Sequence, residues 1–365
     1  MKFTINKTEL QNALSVVLKG VSTRSTLPVL SGIMLDVSGD EVVLQSTDLE
    51  YSVKYILPAL VDEPGKTVVP GKLFNDIVKN LADAAVCIQE SDNTAHITCD
   101  TSSFSVRTLN YEDFPGFPHV ETDSELEIPF IQFQDMVRRV SRVVSRDESR
   151  AILTGVLITL EEHVLRMVAT DSYRLAITEI PMPDSAAEDF EAVILGNFLN
   201  EIAALPRNEG NVSIALAENQ IVAKCGPVTF INRRIEGNYP NYKQLLPNTY
   251  TSRAQIDVKE LAASVKRAAL LSSSTAPMRF DLNIASQTTQ ITVSAPDVGT
   301  AQETIVCQIE GEDIQIAFNS SYVQDGLSAI SGEKVYLEVQ SDMKPGILRA
   351  EEPENYLYLI MPVRI

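Results

Sequence analysis

Residues 171 to 174 read Asp-Ser-Tyr-Arg, which places an acid, a hydroxyl, a phenol and a guanidinium on four consecutive positions. Such a set could serve a hydrolase, with Asp171 and Tyr173 as the reacting groups, if a third side chain oriented them. None of the three histidines, His96, His119 and His163, falls inside the segment. The chain also contains an echo of it: QSTDLEYSVKYILP at 45–58 lies 123 residues before VATDSYRLAITEIP at 168–181. Thr47, Asp48 and Pro58 stand opposite Thr170, Asp171 and Pro181, while Tyr173 and Arg174 have no counterpart. Thr-Asp therefore reads as structural in both copies, an Asx-type turn, and Tyr173, Arg174 and Leu175 are private to one.

The echo extends beyond the turn. LPVLSGIMLDVSGDEVVLQSTDLEYSVKYILP (27–58) aligns on RAILTGVLITLEEHVLRMVATDSYRLAITEIP (150–181), with Leu30/Leu153 and Gly32/Gly155 at the same offset. A weaker third copy runs through MRFDLNIASQTTQITVSAPDVGTAQETI (278–305). A short amphipathic helix precedes each copy (KTEL at 7, FQDM at 133, VKEL at 258), and Glu9, Asp135 and Glu260 set its register. A second helix follows at 71–81, 196–205 and 319–330, with Asp76, Glu201 and Asp325 in matching places. Alternating stretches such as VCIQESDNTAHITC and VSIALAENQIVAKC read as hairpins. The expected fold class is α+β: three repeated domains, 1–124, 125–250 and 251–365, each with two helices and antiparallel sheets, and each itself divisible into two similar halves.

Composition excludes several classes. The hydrophobic fraction of 44% and charged fraction of 22% are those of an ordinary globular protein. No window reaches the roughly 18 apolar residues of a membrane span, and MKFTINKTEL has no apolar signal region, so a cytoplasmic location is expected. Cys87, Cys99, Cys225 and Cys307 are scattered singly without C-x-x-C spacing, which predicts reduced thiols and no metal site. The net charge of −19 argues against nucleic acid, but the distribution of charge argues the other way. Wound as a helix, 134–146 puts Met136, Val137, Val140, Val143 and Val144 on one arc of about 120° and Arg138, Arg139, Arg142 and Arg146 on another. In 259–270, Leu261, Val265, Ala268 and Ala269 oppose Lys259, Lys266 and Arg267. Lys7, Lys19, Arg24, Lys72 and Lys79 extend the pattern to the first copy. Cations without interleaved aromatics suit sequence-independent, salt-sensitive phosphate contact.

Taken in order, MKFTI, TLPVL, TDLE, ATDSYRLA, EGNYPNYKQLLP, FNSSYV and YLIMPVRI resemble the bacterial DNA sliding clamps, the beta subunits of DNA polymerase III, over the whole length. The resemblance implies a head-to-tail homodimer forming a six-domain ring around double-stranded DNA. Phosphate-facing cations would be Arg24, Lys72, Lys79, Arg138, Arg139, Arg142, Arg146, Arg150, Lys266 and Arg267. It implies no catalytic activity and no cofactor, in keeping with the lack of a G-x-x-x-x-G-K-[ST] loop. Partners would be the polymerase III alpha subunit, the clamp loader complex, and other polymerases and repair proteins, docking through short peptides. Their cleft, between the second and third domains, would be lined or bordered by Leu153, Thr170, Tyr173, Arg174, Leu175, Pro240, Leu245, Leu359, Met361, Pro362 and Val363, with Arg364 at the rim. Phe104 and Val106 would meet Leu270 and Leu271 of the other subunit. Ser172-Tyr173 and Gln244 depart from the Gly-His and the basic residue common in the family, which bears on cleft width and peptide preference.

Overall fold

The computed structural model describes residues 1–22, 25–121, 125–183, 185, 187–206, 210–273, 276–353 and 355–364. They form six half-units, each a strand, a helix and a three-stranded meander. The first is β1 (Lys2–Asn6), α1 (Lys7–Val17), β2 (Gly32–Ser38), β3 (Glu41–Thr47) and β4 (Tyr51–Pro58). After β5 (Leu60–Glu63) come β6 (Gly65–Pro70), α2 (Gly71–Asn80), β7 (Ala85–Ser91), β8 (Thr94–Cys99) and β9 (Ser102–Arg107). The third is β10 (Glu125–Pro129), α3 (Phe130–Val140), β11 (Gly155–Glu161), β12 (Val164–Thr170) and β13 (Arg174–Pro181). The fourth is β14 (Phe190–Leu195), α4 (Gly196–Ala203), β15 (Asn211–Leu216), β16 (Gln220–Cys225) and β17 (Val228–Arg233). The fifth is β18 (Ser252–Asp257), α5 (Val258–Ala268), β19 (Met278–Asn283), β20 (Thr288–Ala295) and β21 (Gly299–Val306). After β22 (Gln308–Glu310), the sixth is β23 (Ile314–Phe318), α6 (Ser320–Ser328), β24 (Lys334–Val339), β25 (Gly346–Ala350) and β26 (Tyr356–Ile360).

Local chemistry sets these boundaries. Asn6 and Asp257 end their strands, Asn319 follows its strand directly, and all three cap the following helices, their side chains accepting from Thr8 and Glu9, Glu260, and Ser321 backbone N–H groups. Asp92-Asn93 and Glu162-His163 hold positive φ at both positions, the geometry of a two-residue hairpin turn. The first and third half-units match element by element at 123 residues, from Lys2/Glu125 to Pro58/Pro181. That period corrects the register taken from Asp135. Glu9 and Glu260 are each the third residue of their helix, but α3 begins at Phe130, so Asp135 lies a turn further along. Asp76, Glu201 and Asp325 do share one place, the sixth residue of α2, α4 and α6.

The expected helix over 134–146 starts earlier and stops sooner. Buried Phe130 and Phe133 draw its first turn into the core. After Val140 it tightens to one 3-10 turn, Ser141–Val143, and Val144 is extended, so Val144 and Arg146 lie outside the helix. On the apolar face, Met136, Val137, Val140 and Val143 are buried as expected.

The half-units exchange strands. β1 joins the meander β7–β9 and β6 joins β2–β4; β10 and β15–β17, β14 and β11–β13, β18 and β24–β26, and β23 and β19–β21 follow the same rule. Meanders from different copies then fuse through their third strands. β17 pairs antiparallel with β4 to make an eight-stranded sheet, and β13 pairs with β26 within a nine-stranded one. Among the described residues, β9 and β21 are the two of the six third strands that end their sheets. Gly32 and Gly155 show why the repeat keeps a glycine: a β-carbon would come within 2.3 Å of Val68 in one copy and 2.5 Å of Val193 in the other.

The chain divides into two compact units, Met1–Ile131 with Ala204–Arg234, and Gln132–Ala203 with Ile235–Ile365. The eight-stranded sheet and the five-stranded sheet β5-β1-β7-β8-β9 belong to the first. The nine-stranded sheet and the four-stranded sheet β21-β20-β19-β23 belong to the second.

Candidate functional site: a cleft wall beside the basic helix faces

The two Thr-Asp turns superpose in their chemistry. Thr47 Oγ1 accepts from Leu49 N and donates to Tyr51 O, as Thr170 Oγ1 accepts from Ser172 N and donates to Arg174 O. Asp48 Oδ1 accepts from Glu50 and Tyr51 backbone N–H groups, and Asp171 Oδ1 from those of Tyr173 and Arg174. Leu49 and Ser172 both hold φ 81. Asp171 Oδ2 takes a further bond from Arg174 Nε at 3.0 Å, so its carboxylate is occupied by the turn rather than poised as a base. The shared residues hold the fold, as the echo predicted.

The private residues diverge. Tyr173 is 59% exposed, while Leu175 is buried in a cluster with Leu157, Val168, Tyr242, Ile347 and Leu359. Arg174 points inward, its side chain 10% exposed, with Nη1 on Asp325 and Tyr358 and Nη2 on the Arg142 carbonyl at 3.0 Å. The Tyr322 ring lies 4.5 Å from its guanidinium carbon. Burial alone would lower the Arg174 pKa, but Tyr358, Asp325 and Asp171 outweigh it and hold the pKa above the usual guanidinium value. Burial likewise pushes the Tyr358 hydroxyl up, so it stays protonated. Gly326 permits this packing, because a β-carbon there would sit 2.5 Å from the Tyr358 ring. Gly326→Ala is expected to cost about 1–3 kcal/mol by overpacking, read as a lower denaturation midpoint of the full chain.

Strand pairing assembles the expected cleft residues. Leu175 stands opposite Leu359 and Arg174 opposite Ile360, and Met361 N–H donates to Tyr173 O at 2.9 Å. Leu153, Leu175 and Leu359 are buried, and Thr170 is 5% exposed with its hydroxyl held in the turn. Tyr242 and Leu246, from the loop bearing Pro240, Gln244 and Leu245, pack on the same cluster. Pro240, Leu245, Met361 and Arg364 are exposed; Pro362 and Val363 are half-buried, with Val363 N–H on Ala317 O at 2.8 Å. Tyr173, Leu245 and Met361 are thus exposed apolar side chains, each within two residues of a member of the buried cluster or a residue packed on it: Leu175, Leu246 and Leu359.

The basic residues separate into two kinds. Arg142 and Arg146, with Lys72, Lys79 and Lys266, are exposed. Arg138 and Arg139 are engaged internally: both pair with Asp135, and Arg138 also donates to the Ser328 and Ala329 carbonyls and Ser331 Oγ. Carbonyls freed at the end of α6 attract that cation. Arg267 is exposed but paired with Glu303. Arg150, expected on the phosphate side, instead bonds Asp147 and Ser172 Oγ at 2.9 Å, beside the cleft turn. Arg24 lies outside the described residues. Phe104 is 41% and Leu270 83% exposed; Val106 is buried and Leu271 half-buried. Sequence reading named Arg150 only among the phosphate-facing cations and did not name Tyr322 or Tyr358; for Tyr322 the available signal was its i,i+3 spacing from Asp325.

Among the described residues no His/Cys/Asp/Glu group could hold a metal ion, and no helix is long and apolar enough to cross a membrane. Half-units fused sheet to sheet and an acid held by its own turn define a repeat-built protein. The profiles of the DNA polymerase III beta subunit N-terminal, central and C-terminal domains match residues 1–118, 127–241 and 243–364. The beta sliding clamp of Staphylococcus aureus is 33% identical over 100% of this chain and 99% of its own length. The structure of the Bacillus subtilis DNA polymerase sliding clamp matches with a TM-score of 0.95 and 31% identity over 100% and 99% of the two chains. The Pseudomonas aeruginosa clamp solved bound to griselimycin matches with a TM-score of 0.94 and 28% identity, covering 100% of each chain. The chain belongs to the DNA polymerase III beta subunit family, the bacterial sliding clamps, and is a non-catalytic processivity factor of DNA replication.

Proposed function

We propose that two copies of this chain join head to tail into a closed ring of six clamp domains, divided near residues 124 and 250, that encircles duplex DNA. One observation carries the ring. Third strands fuse in pairs inside the chain (β4 with β17, β13 with β26), which leaves β9 and β21 as the open members of the same set. Phe104 of β9 occupies the place that Phe230 holds in β17, 126 residues later. Phe230 is fully buried, near Tyr51 of the fused neighbour, whereas Phe104 is 41% exposed. Pairing β9 with the partner's β21 would complete the rule and bring Leu270 and Leu271 against Phe104 and Val106. It would leave neither edge open.

Exposed cations on repeated helices, against a net charge of −19, fit a basic lining within an acidic exterior. Such a lining holds phosphates without reading bases, so the ring slides. The wall of Tyr173, Leu245 and Met361 over its leucine floor fits an extended peptide with apolar anchors. Peptides of the polymerase III alpha subunit, the clamp loader, and other polymerases and repair proteins would compete for it in the cytoplasm.

The test is topological. Clamps loaded by a cognate loader and ATP onto a nicked circular plasmid are expected to survive gel filtration and to be lost when the circle is cut. An equal half-life on circular and linear DNA would overturn encirclement. Lys72→Glu combined with Lys266→Glu should shorten retention on the intact circle as salt is raised, without altering peptide affinity. Retention equal to the parent across the salt series would count against these lysines as lining.

A further inference from the structure

The contacts around Arg174 close into a ring that ties the cleft wall to the helices behind it. Arg174 reaches the Asp325 carboxylate through Nη1 and the Arg142 carbonyl through Nη2 at 3.0 Å. Arg142 donates from Nη1 to Ser328 Oγ at 3.0 Å, and Ser328 Oγ donates to the Asp325 carbonyl at 2.8 Å. Two features make the ring specific to this junction. Tyr322 and Asp325 lie three apart on α6, so both reach the guanidinium from one helix face. At the equivalent junction, where β4 pairs with β17, the place of Arg174 is taken by Tyr51, and Glu201 of α4 stands at the helix place of Asp325.

We infer that Asp325, which does not belong to the cleft itself, is a positioning residue for peptide binding: from helix α6 it fixes Arg174 and, through Arg174, the Tyr173–Leu175 wall. The physical basis is the connection of that wall. Arg174 sits between Tyr173, which is solvent-facing, and Leu175, which is in the floor, and its backbone is bonded to the Asp171 turn. A guanidinium held from four sides permits one backbone position for both neighbours. When the carboxylate that meets Nη1 loses its charge, Arg174 has a choice of partners, and the wall must be ordered again by each incoming peptide. The peptide then dissociates faster, with the association rate little changed.

The inference rests on the cleft reading above, and the experiment separates the two. A fluorescein-labelled peptide spanning the clamp-binding segment of the polymerase alpha subunit is titrated by polarisation against the full-length parent, Met361→Ala, Asp325→Asn, Asp325→Glu and Tyr358→Phe. Asp325→Asn is expected to weaken binding about tenfold and Asp325→Glu to restore most of it. Tyr358→Phe, which removes one hydroxyl from Arg174, is expected to cost about two- to threefold. The restoration by Glu is the readout that a loss of general stability would not give. If Asp325→Asn fails to fold, Tyr358→Phe and Asp325→Glu carry the comparison alone. Parent-like titrations of Asp325→Asn and Tyr358→Phe, or of Tyr358→Phe alone where Asp325→Asn does not fold, beside a weakened Met361→Ala, would overturn the positioning role. A parent-like Met361→Ala would remove the cleft reading and this inference with it.

Discussion

Phe104→Asp is expected to leave the folded protein as a monomer of 40.1 kDa by light scattering, under conditions where the parent runs at twice that mass. The reasoning begins with the equivalence of β9 and β17. A phenylalanine at this place is fully buried where its strand is paired, so pairing of β9 should bury Phe104 as it buries Phe230. Removing an aromatic side chain from such a place forfeits about 2–3 kcal/mol of apolar burial, and a carboxylate without a partner there adds a desolvation cost. A head-to-tail dimer contains the contact twice, so the substitution acts twice. About 5 kcal/mol in total corresponds to roughly a 10³- to 10⁴-fold rise in the dissociation constant. Phe104 is partly exposed in the single chain, so the monomer should melt close to the parent. A Phe104→Asp protein that still travels at the dimer mass would refute this edge as the subunit contact.

The second large effect is at the cleft. Met361→Ala should weaken a polymerase-derived peptide by about 10- to 100-fold while dimer mass and melting stay put. The Met361 backbone is pinned by its N–H on Tyr173 O, and Val363 N–H on Ala317 O anchors the chain two residues later. The side chain itself is 39% exposed, and so is that of Tyr173, to which its backbone is bonded, at 59%. A flexible thioether on a fixed backbone adapts to differing apolar anchors, which suits a site used by several partners. Truncation removes contact area without opening a cavity in the fold. Superimposable polarisation curves for parent and Met361→Ala would refute the assignment.

How much of this was legible from the chain depended on distance along it. The Thr-Asp turn was readable because the hydrogen bonds its Thr and Asp side chains make to the backbone run between residues at most four apart, and a second copy showed which side chains they need. The equivalence of the first and third half-units was readable because every strand of one lies 123 residues before its counterpart in the other. The helix register failed at Asp135 because one acid per helix is a weak marker, and α3 begins at Phe130, three residues before the FQDM segment taken as its start. The arginines of α3 looked equivalent on a helical wheel. Both Arg138 and Arg142 reach Ser328 at the carboxyl end of α6, 190 and 186 residues away, and Arg138 also pairs with Asp135. The partners of Arg174 lie 151 and 184 residues from it at Asp325 and Tyr358. Spacing cannot carry that information, although the recurrence of an acid at Asp76, Glu201 and Asp325 marked the position.

The exchange of first strands between half-units separates two quantities that repeat proteins often share. The segment that was multiplied is one half-unit long, but no half-unit keeps its own edge strand, and two of the sheets also join strands from different copies. The smallest piece able to satisfy its own backbone is therefore larger than the piece that was duplicated. This is why the compact units divide the chain through the middle copy, placing β15–β17 with the first copy and β11–β13 with the third. Cooperativity follows the sheets and not the ancestry, so a single excised repeat would be a fragment in the mechanical sense even though it is a whole in the genetic one.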